Sequence, residues 1–492
     1  MAGPRDQGAA IGDMDPEEFR REGHRVVDWL ADYFAHPERF PVLAQVKPGD
    51  LVRALPSRAP EDPESFAAIF DDFTNLVVPG ITHWNHPGFF AYFAISGSGP
   101  GVLAEMLAAG LNVQAMLWRT SPSATELEEV ALGWLRDLMQ LPPSFDGVIY
   151  DTASVAVLHA LAAARETVIP DVRVKGLLAR PDLPRVRIYL SAHTHSSADK
   201  SVILLGLGQD AIAHIQCDAQ HAMRVDLLRD AIAADRRDGI VPLAVIATIG
   251  TTSSTAIDPV NEIADLCEAE GIWLHVDAAY AGVMAMLPAW RTAFRGVERA
   301  DTLVVNPHKW LFTPFDCSVL YCRRMDVLRQ AFSLVAEYLK TTETAPVKNL
   351  MDTGIQLGRR FRALKLWMVL RYFGAAGIRR RLEAHVGLAR TFAGWVDEAG
   401  GWERLAPVPF SVVCFRHRPT GTDDEAALER HNAAILDAVN ASGEAFLSHT
   451  KLDGRYALRL AIGNIRTEER HVRRAWGLLT DAATVLLDQK EM

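Results

Sequence analysis

Two charged residues stand at the ends of apolar runs, where a bare charge is costly. Lys309 follows "LVVNPH" and is followed at once by Trp310, Leu311 and Phe312, and Asp277 closes "IWLHVD". Desolvating an ammonium or a carboxylate without a partner is strongly unfavourable or shifts its pKa toward the neutral form. Alone, Lys309 reads as a surface lysine snorkelling at a strand end. Other polar residues also follow short apolar runs: Asp151, Thr152 and Ser154, His193 and His195, Thr251 and Thr252, Asn306 and His308. In an open parallel sheet, ligands sit beyond the carboxyl ends of the strands. A carboxylate and an amine on one such edge suit a ligand that is anionic in one part and basic in another.

Several chemistries can be set against these residues. GxxxxGK[ST] is absent, which argues against a P-loop, and GxSxG is absent, which argues against a serine-hydrolase elbow. The stretch "SGSGPG" (Ser96 to Gly101) does not lie between a strand and a helix and reads as a turn or helix entry. His193 and His195 place two rings on one strand face, as zinc ligands would be, but no third ligand follows at a convincing spacing. His193 then reads as a satisfied strand-end histidine. Pyridoxal 5'-phosphate fits the set better. Its aldehyde needs a lysine and its pyridine nitrogen a carboxylate. Its phosphate needs N–H groups and hydroxyls at a helix start, which "DTAS" before an Ala-rich helix supplies. Its ring needs a flat cover, which an imidazole provides.

The elements that must position these residues follow from periodicity. To about residue 95 the pattern is helical: Phe19, Val26, Val27, Leu30 and Phe34, then Phe66, Ile69, Phe70, Phe73 and Leu76. Such an arm cannot bury both stripes on itself, so it is expected to pack on another domain or subunit. From 96 to 370, short Val/Ile-rich strands alternate with helices and lack polar alternation, as in a mostly parallel α/β sheet covered on both faces. From 371 to 492, helix, strand ("FSVVCFRH"), helix, strand ("YALRLAIG") and helix predict a small α+β domain.

Length and composition agree. The 492 residues exceed one ordinary core, and 49% hydrophobic with 23% charged residues is globular. A net charge of −10 without a basic stripe argues against nucleic acid. The five scattered cysteines contain no CxxC, which fits a reducing compartment. No secretory pattern opens the chain and no apolar run approaches a membrane span, so a soluble cytoplasmic protein is expected.

"HVDAAYAG" (His275 to Gly282) followed by "NPHKW" (Asn306 to Trp310) closely resembles the group II pyridoxal-phosphate decarboxylases, in their aromatic-L-amino-acid decarboxylase branch. "PGITHWNHPGFFAYF", "SPSATELE", "SAHTHSSADKS", "GTTSSTAIDP", "LGRRFRALKLW" and "LRLAIGNIRT" fall in the family's order. The resemblance implies fold type I, aspartate aminotransferase-like, with a mostly parallel seven-stranded sheet. It implies Lys309 as the internal-aldimine lysine, Asp277 on the pyridine nitrogen, and Ala279 and His195 on the two ring faces. Thr152, Ala153, Asn306 and His308 would hold the phosphate, with Ser154 and Thr252 completing the pocket. The lid tyrosine that returns a proton to Cα matches Tyr338. With both His195 and Tyr338 present, simple decarboxylation to an amine is favoured over an oxygen-consuming aldehyde synthase.

Trp84, Tyr92 and Phe93 match the family's aromatic wall, and Gly358 leaves room for a ring. Ile95 replaces the threonine of animal members, Gln114 and Met116 replace an isoleucine and a phenylalanine contributed across the dimer, and Asp151-Thr152 replaces Gly-Ser. Tryptophan, phenylalanine, tyrosine and DOPA all remain open as substrates. A glutamate or histidine decarboxylase and a catalytically silent scaffold are the alternatives. The resemblance also implies a homodimer with shared active sites.

Overall fold

Continuous apolar runs become strands here because both faces of the sheet they form are covered. The structure, a computed structural model, describes residues 12–178, 180–334 and 347–491. The expected lid residue Tyr338 lies outside the described residues. The chain divides into two compact units: Phe90–Asn432 with Ser448–Thr467, and Met1–Phe89 with Ala433–Leu447 and Glu468–Met492.

The larger unit holds a seven-stranded sheet of β1 (Asp146–Tyr150), β2 (Val186–Ser191), β3 (Ile212–Ile215), β4 (Val241–Thr248), β5 (Trp273–Asp277), β6 (Thr302–Val305) and β7 (Ser318–Cys322). Their spatial order is β1-β7-β6-β5-β4-β2-β3. All neighbours run parallel except β7, which is antiparallel to both β1 and β6. Successive residues feed opposite cores, as the strand period of two requires. Leu303 and Val305 of β6 join one apolar cluster and Val304 the other; Trp273 and Leu274 of β5 divide in the same way. The helix Ala153–Val168 lies on the second face through Ala156, Val157, Ala160, Leu161, Ala163 and Ala164. Its small side chains let the backbone approach the sheet closely.

A second, antiparallel sheet in the same unit has the order β10-β11-β9-β8, from β8 (Trp402–Arg404), β9 (Val412–His417), β10 (Ser448–Leu452) and β11 (Arg455–Ala461). The sequence pattern anticipates only β9 and β11. The β10–β11 hairpin closes through Asp453 (φ +50°) and Gly454 (φ +80°), the two left-handed residues of a tight two-residue turn.

In the smaller unit, the helix Pro16–Ala35 starts where the sequence predicts, capped by the Asp15 carboxylate accepting from the Glu17 and Glu18 N–H groups. Trp29 on that helix packs against Tyr33, Phe70 and Phe73. The closing helix Glu469–Glu491 belongs to the same unit, with Arg470 and His471 on Glu38. Among the described residues, no helix is long and apolar enough to cross a membrane.

Candidate active site

A cavity of about 200 Å³ opens at the carboxyl ends of β4, β5 and β6 and the start of the helix Ala153–Val168. Asp277 ends β5 opposite Val304 of β6, and four residues after β6 comes Lys309 on the single turn Pro307–Trp310. The sheet register therefore aims carboxylate and amine into one space. Asp277 is 8% exposed, with Oδ1 accepting from the Ala279 N–H at 3.0 Å. Burial holds the Lys309 ammonium below the usual lysine range; Asp277 opposes that shift, and Arg459 adds to it. A depressed pKa makes the free amine, the nucleophilic form, more accessible.

Aromatic residues wall the lysine. Its Nζ lies 5.1 Å from the Phe93 ring centroid, and Phe93 stacks on Tyr280 at 3.9 Å. Tyr280 stacks on Trp310 at 4.6 Å, and the Trp310 indole N–H donates to His385. The Arg459 guanidinium covers Phe93 at 4.6 Å and donates to the backbone oxygens of Ser253 and Tyr92.

His195 lines the cavity, and its Nδ1 accepts from the Ser197 N–H at 3.2 Å, with Ser197 Oγ at 2.8 Å. The neutral ring therefore carries its proton on Nε2. Burial lowers the His195 pKa, Lys309 adds to that and Asp277 opposes it. His308 is pushed further down, to about 3, by burial and by Lys309, so it is neutral at physiological pH. Its Nδ1 accepts from the Cys317 N–H at 2.9 Å, and Nε2 lies 3.3 Å from the Asn306 side-chain amide, which is held by Ser318 Oγ at 2.6 Å.

The anion-holding end is the helix start. Thr152 is the N-cap, and the N–H groups of Ala153, Ser154 and Val155 have no intrahelical acceptor. Asp151 Oδ1 takes the Thr152 N–H at 2.7 Å, so the departure at Asp151 withdraws one donor from the cradle. These features fit pyridoxal phosphate, and one atom tests the fit: Thr248 Oγ1, buried on the cavity wall, has no hydrogen-bond partner. A polar ligand in the cavity would satisfy it.

The cavity brings together Lys309, Asp277, His195, Thr152, Ala153, Ser154, Thr252, Ala279, Asn306, His308 and Phe93 from the residues expected on sequence grounds. Tyr92, Ile95, Gln114, Met116 and Gly358 do not line it, and Trp84 belongs to the smaller unit. Gln114 Oε1 instead accepts from the Arg359 N–H at 2.6 Å. Thr248, Gly250, Ser197 and Tyr280 line the cavity without having been singled out. Tyr280 stands within "DAAYAG", a signal present in the sequence, whereas Thr248 lies inside the apolar run "LAVIATIG" and carries none.

A model of the pyridoxal-dependent decarboxylase conserved domain matches residues 48–418. Tryptophan decarboxylase 2 of Oryza sativa subsp. japonica is 41% identical over 484 residues, covering 96% of each chain. A phenylacetaldehyde synthase of Arabidopsis thaliana is 41% identical over 490 residues, covering 98% of this chain and 99% of that one. The crystal structure of Oryza sativa TDC with PLP and tryptamine is similar at a TM-score of 0.93 and 36% identity, over 97% of this chain and 100% of that chain. The chain belongs to the pyridoxal-dependent decarboxylase family. Its fold is the fold type I arrangement, and its cofactor is pyridoxal 5'-phosphate.

Proposed function

We propose that this pyridoxal-dependent decarboxylase removes CO2 from an aromatic L-amino acid and releases the corresponding arylalkylamine. The observation that carries the reading is the single cavity in which Lys309, Asp277, His195 and a helix start converge beside Phe93 and Tyr280. When bound, pyridoxal phosphate supplies an electron sink for the pair left behind as CO2 departs. Lys309 would hold the cofactor through its aldehyde, and Asp277 would pair with the pyridine nitrogen and favour its protonated form. Thr152, Ala153, Asn306 and His308 would hold the phosphate, with Ser154 at the helix start and Thr252 near the ring completing the pocket. His195 and Ala279, both on the cavity wall, would cover the two faces of the ring, with His195 Nε2–H available to the substrate carboxylate. Tyr338 returns a proton to Cα.

The reading includes a homodimer with shared active sites. The helix Gly99–Leu111 exposes Leu103, Met106, Leu107 and Leu111 at helical spacing, a stripe that a second copy would bury. That copy would also bring Gln114 and Met116 toward the substrate ring. A cytoplasmic location is part of the proposal, supported by five cysteines that are all free thiols.

The test is product balance. Tryptophan, phenylalanine, tyrosine and DOPA are each incubated with the holoenzyme, and amine, CO2 and peroxide are quantified. Amine equal to CO2 without peroxide is expected for at least one of the four. Peroxide and aldehyde in proportion to CO2 would make the chain an aldehyde synthase, like its Arabidopsis relative. Lys309→Ala should abolish both turnover and the visible absorbance of lysine-bound cofactor.

A further inference from the structure

On sequence grounds His193 pairs with His195 as a candidate zinc-ligand pair; the fold separates their roles. His195 lines the cofactor cavity and His193 does not. His193 lies instead beside two residues remote in sequence, His221 and Asp453, and the ligand atoms of these three lie within 4.8 Å of one another. The two rings meet edge to face, with centroids 5.3 Å apart at 88°, and His221 Nδ1 is 3.9 Å from Asp453 Oδ2.

His221 is 2% exposed, and its two ring nitrogens differ. Nε2 faces the Leu405 carbonyl oxygen at 3.4 Å. A carbonyl only accepts, so Nε2 carries the proton and Nδ1 presents a lone pair. That Nδ1 is buried with no hydrogen-bond partner. At 3.9 Å it is too far from Asp453 for a hydrogen bond, and it has no proton to give. One nitrogen donating to a backbone carbonyl while the other offers an unused lone pair is how metal-bound histidines are oriented. His193 adds a second imidazole, and Asp453 adds a carboxylate oxygen from the tip of the β10–β11 hairpin.

We propose that His193, His221 and Asp453 bind one divalent transition-metal ion of the zinc class. Two imidazoles and a carboxylate suit such an ion better than a hard cation that prefers oxygen ligands. Metal–ligand bonds of about 2.0–2.1 Å place tetrahedral donors on the order of 3.3 Å apart. Closing the 3.9 Å between His221 Nδ1 and Asp453 Oδ2 to that value requires a shift that the exposed Asp453 can supply, and the half-buried His193 closes on the buried His221. Water completes the coordination. The ion would tie the β10–β11 hairpin to the segment leaving β2, two residues from His195.

The test uses the holoenzyme, freed of metal by chelator dialysis and titrated with zinc chloride by calorimetry. Cobalt(II) serves as a second probe, through the visible spectrum of a tetrahedral nitrogen–oxygen site. One ion per chain is expected. His193→Gln and Asp453→Asn, each altering a direct ligand, should weaken binding by at least the roughly 10–100-fold that losing an outer-shell partner costs, while leaving the far-ultraviolet circular dichroism unchanged. Asp453→Asn keeps a residue that tolerates the left-handed backbone, so misfolding does not confound it. Failure to take up zinc, or an affinity that either substitution leaves unchanged, would overturn the site.

Discussion

Thr248 separates what the cavity needs from what the apo fold needs. Its hydroxyl is buried at the end of β4 and bonds to nothing, so the protein alone gains nothing from it. If pyridoxal phosphate satisfies it, Thr248→Val should weaken cofactor binding by one net hydrogen bond, about 0.5–1.5 kcal/mol, or roughly 2–10-fold. Thr248→Ser should keep most of the affinity. The apo protein should be as stable with Val as with Thr, because no bond is lost. Cofactor titration by absorbance and urea unfolding of the apo forms measure the two effects; equal cofactor affinity for Thr and Val would refute the contact. The residue also marks a limit of sequence reading. Thr251 and Thr252 attract attention as a Thr pair after an apolar run, whereas Thr248 reads as the run's last strand residue. Asp277 and Lys309 were legible because charges are expensive in such runs; a threonine is not.

At the scale of elements, the strands missed by pattern share one property: all lie at sheet edges. β3 borders the large sheet, and β8 and β10 border the small one. β10, "SHTKL", alternates between partly buried and exposed residues, and "IAHI" of β3 is only four residues long. Central strands announce themselves by continuous apolar character, whereas half-solvated edges merge with loops. The other edge, β1, is protected by side chains. Glu128 accepts from the Ile149 N–H at 2.8 Å and pairs with Arg359 at 2.8 Å, and Arg359 donates to the Ile149 carbonyl at 2.9 Å. Both charges are nearly fully buried, so removing one strands the other. Glu128→Gln keeps an acceptor for Ile149 but leaves the guanidinium unpaired. It should cost about 3–5 kcal/mol in urea unfolding. Adding Arg359→Met should recover part of that loss, because it removes the buried guanidinium that Glu128→Gln leaves unpaired. A single variant as stable as the parent would show that the backbone carbonyls alone hold Arg359. Since β1 runs directly into the helix Ala153–Val168, whose start lines the cavity, the same variant should also weaken cofactor binding.

For the whole molecule, the larger unit encloses at least five histidines that burial holds in the neutral form. Burial pushes His159, His275, His385 and His417 down to about 4 and His308 down to about 3, from an ordinary value near 6.5. Below pH ~6.5 the unfolded chain takes up a proton at each, while the folded chain does not until about pH 4 or lower. Stability contributed by their neutral burial is therefore complete above that pH and is lost on acidification through the window down to the folded pKa values. Asp258 acts in the opposite sense. Burial raises it to about 6, so below that pH the folded state holds a proton that the unfolded state releases down to its ordinary value of 3.8. Each titrating group contributes about 1.4 kcal/mol per pH unit. Five histidines against one aspartate leave a loss of up to about 5 kcal/mol per pH unit below pH ~6, reached only if every site stays closed to protons. Against a typical total of about 5–15 kcal/mol, even a fraction of that slope is a large change in stability per pH unit. Urea unfolding from about pH 7.5 to about pH 5 should show a steep fall. His159→Gln, removing one titrating group packed between Tyr150 and Phe332, should flatten the fall by about one proton's worth. A stability that stays level or rises on acidification would mean that Asp258 and the other buried carboxyls outweigh the histidines.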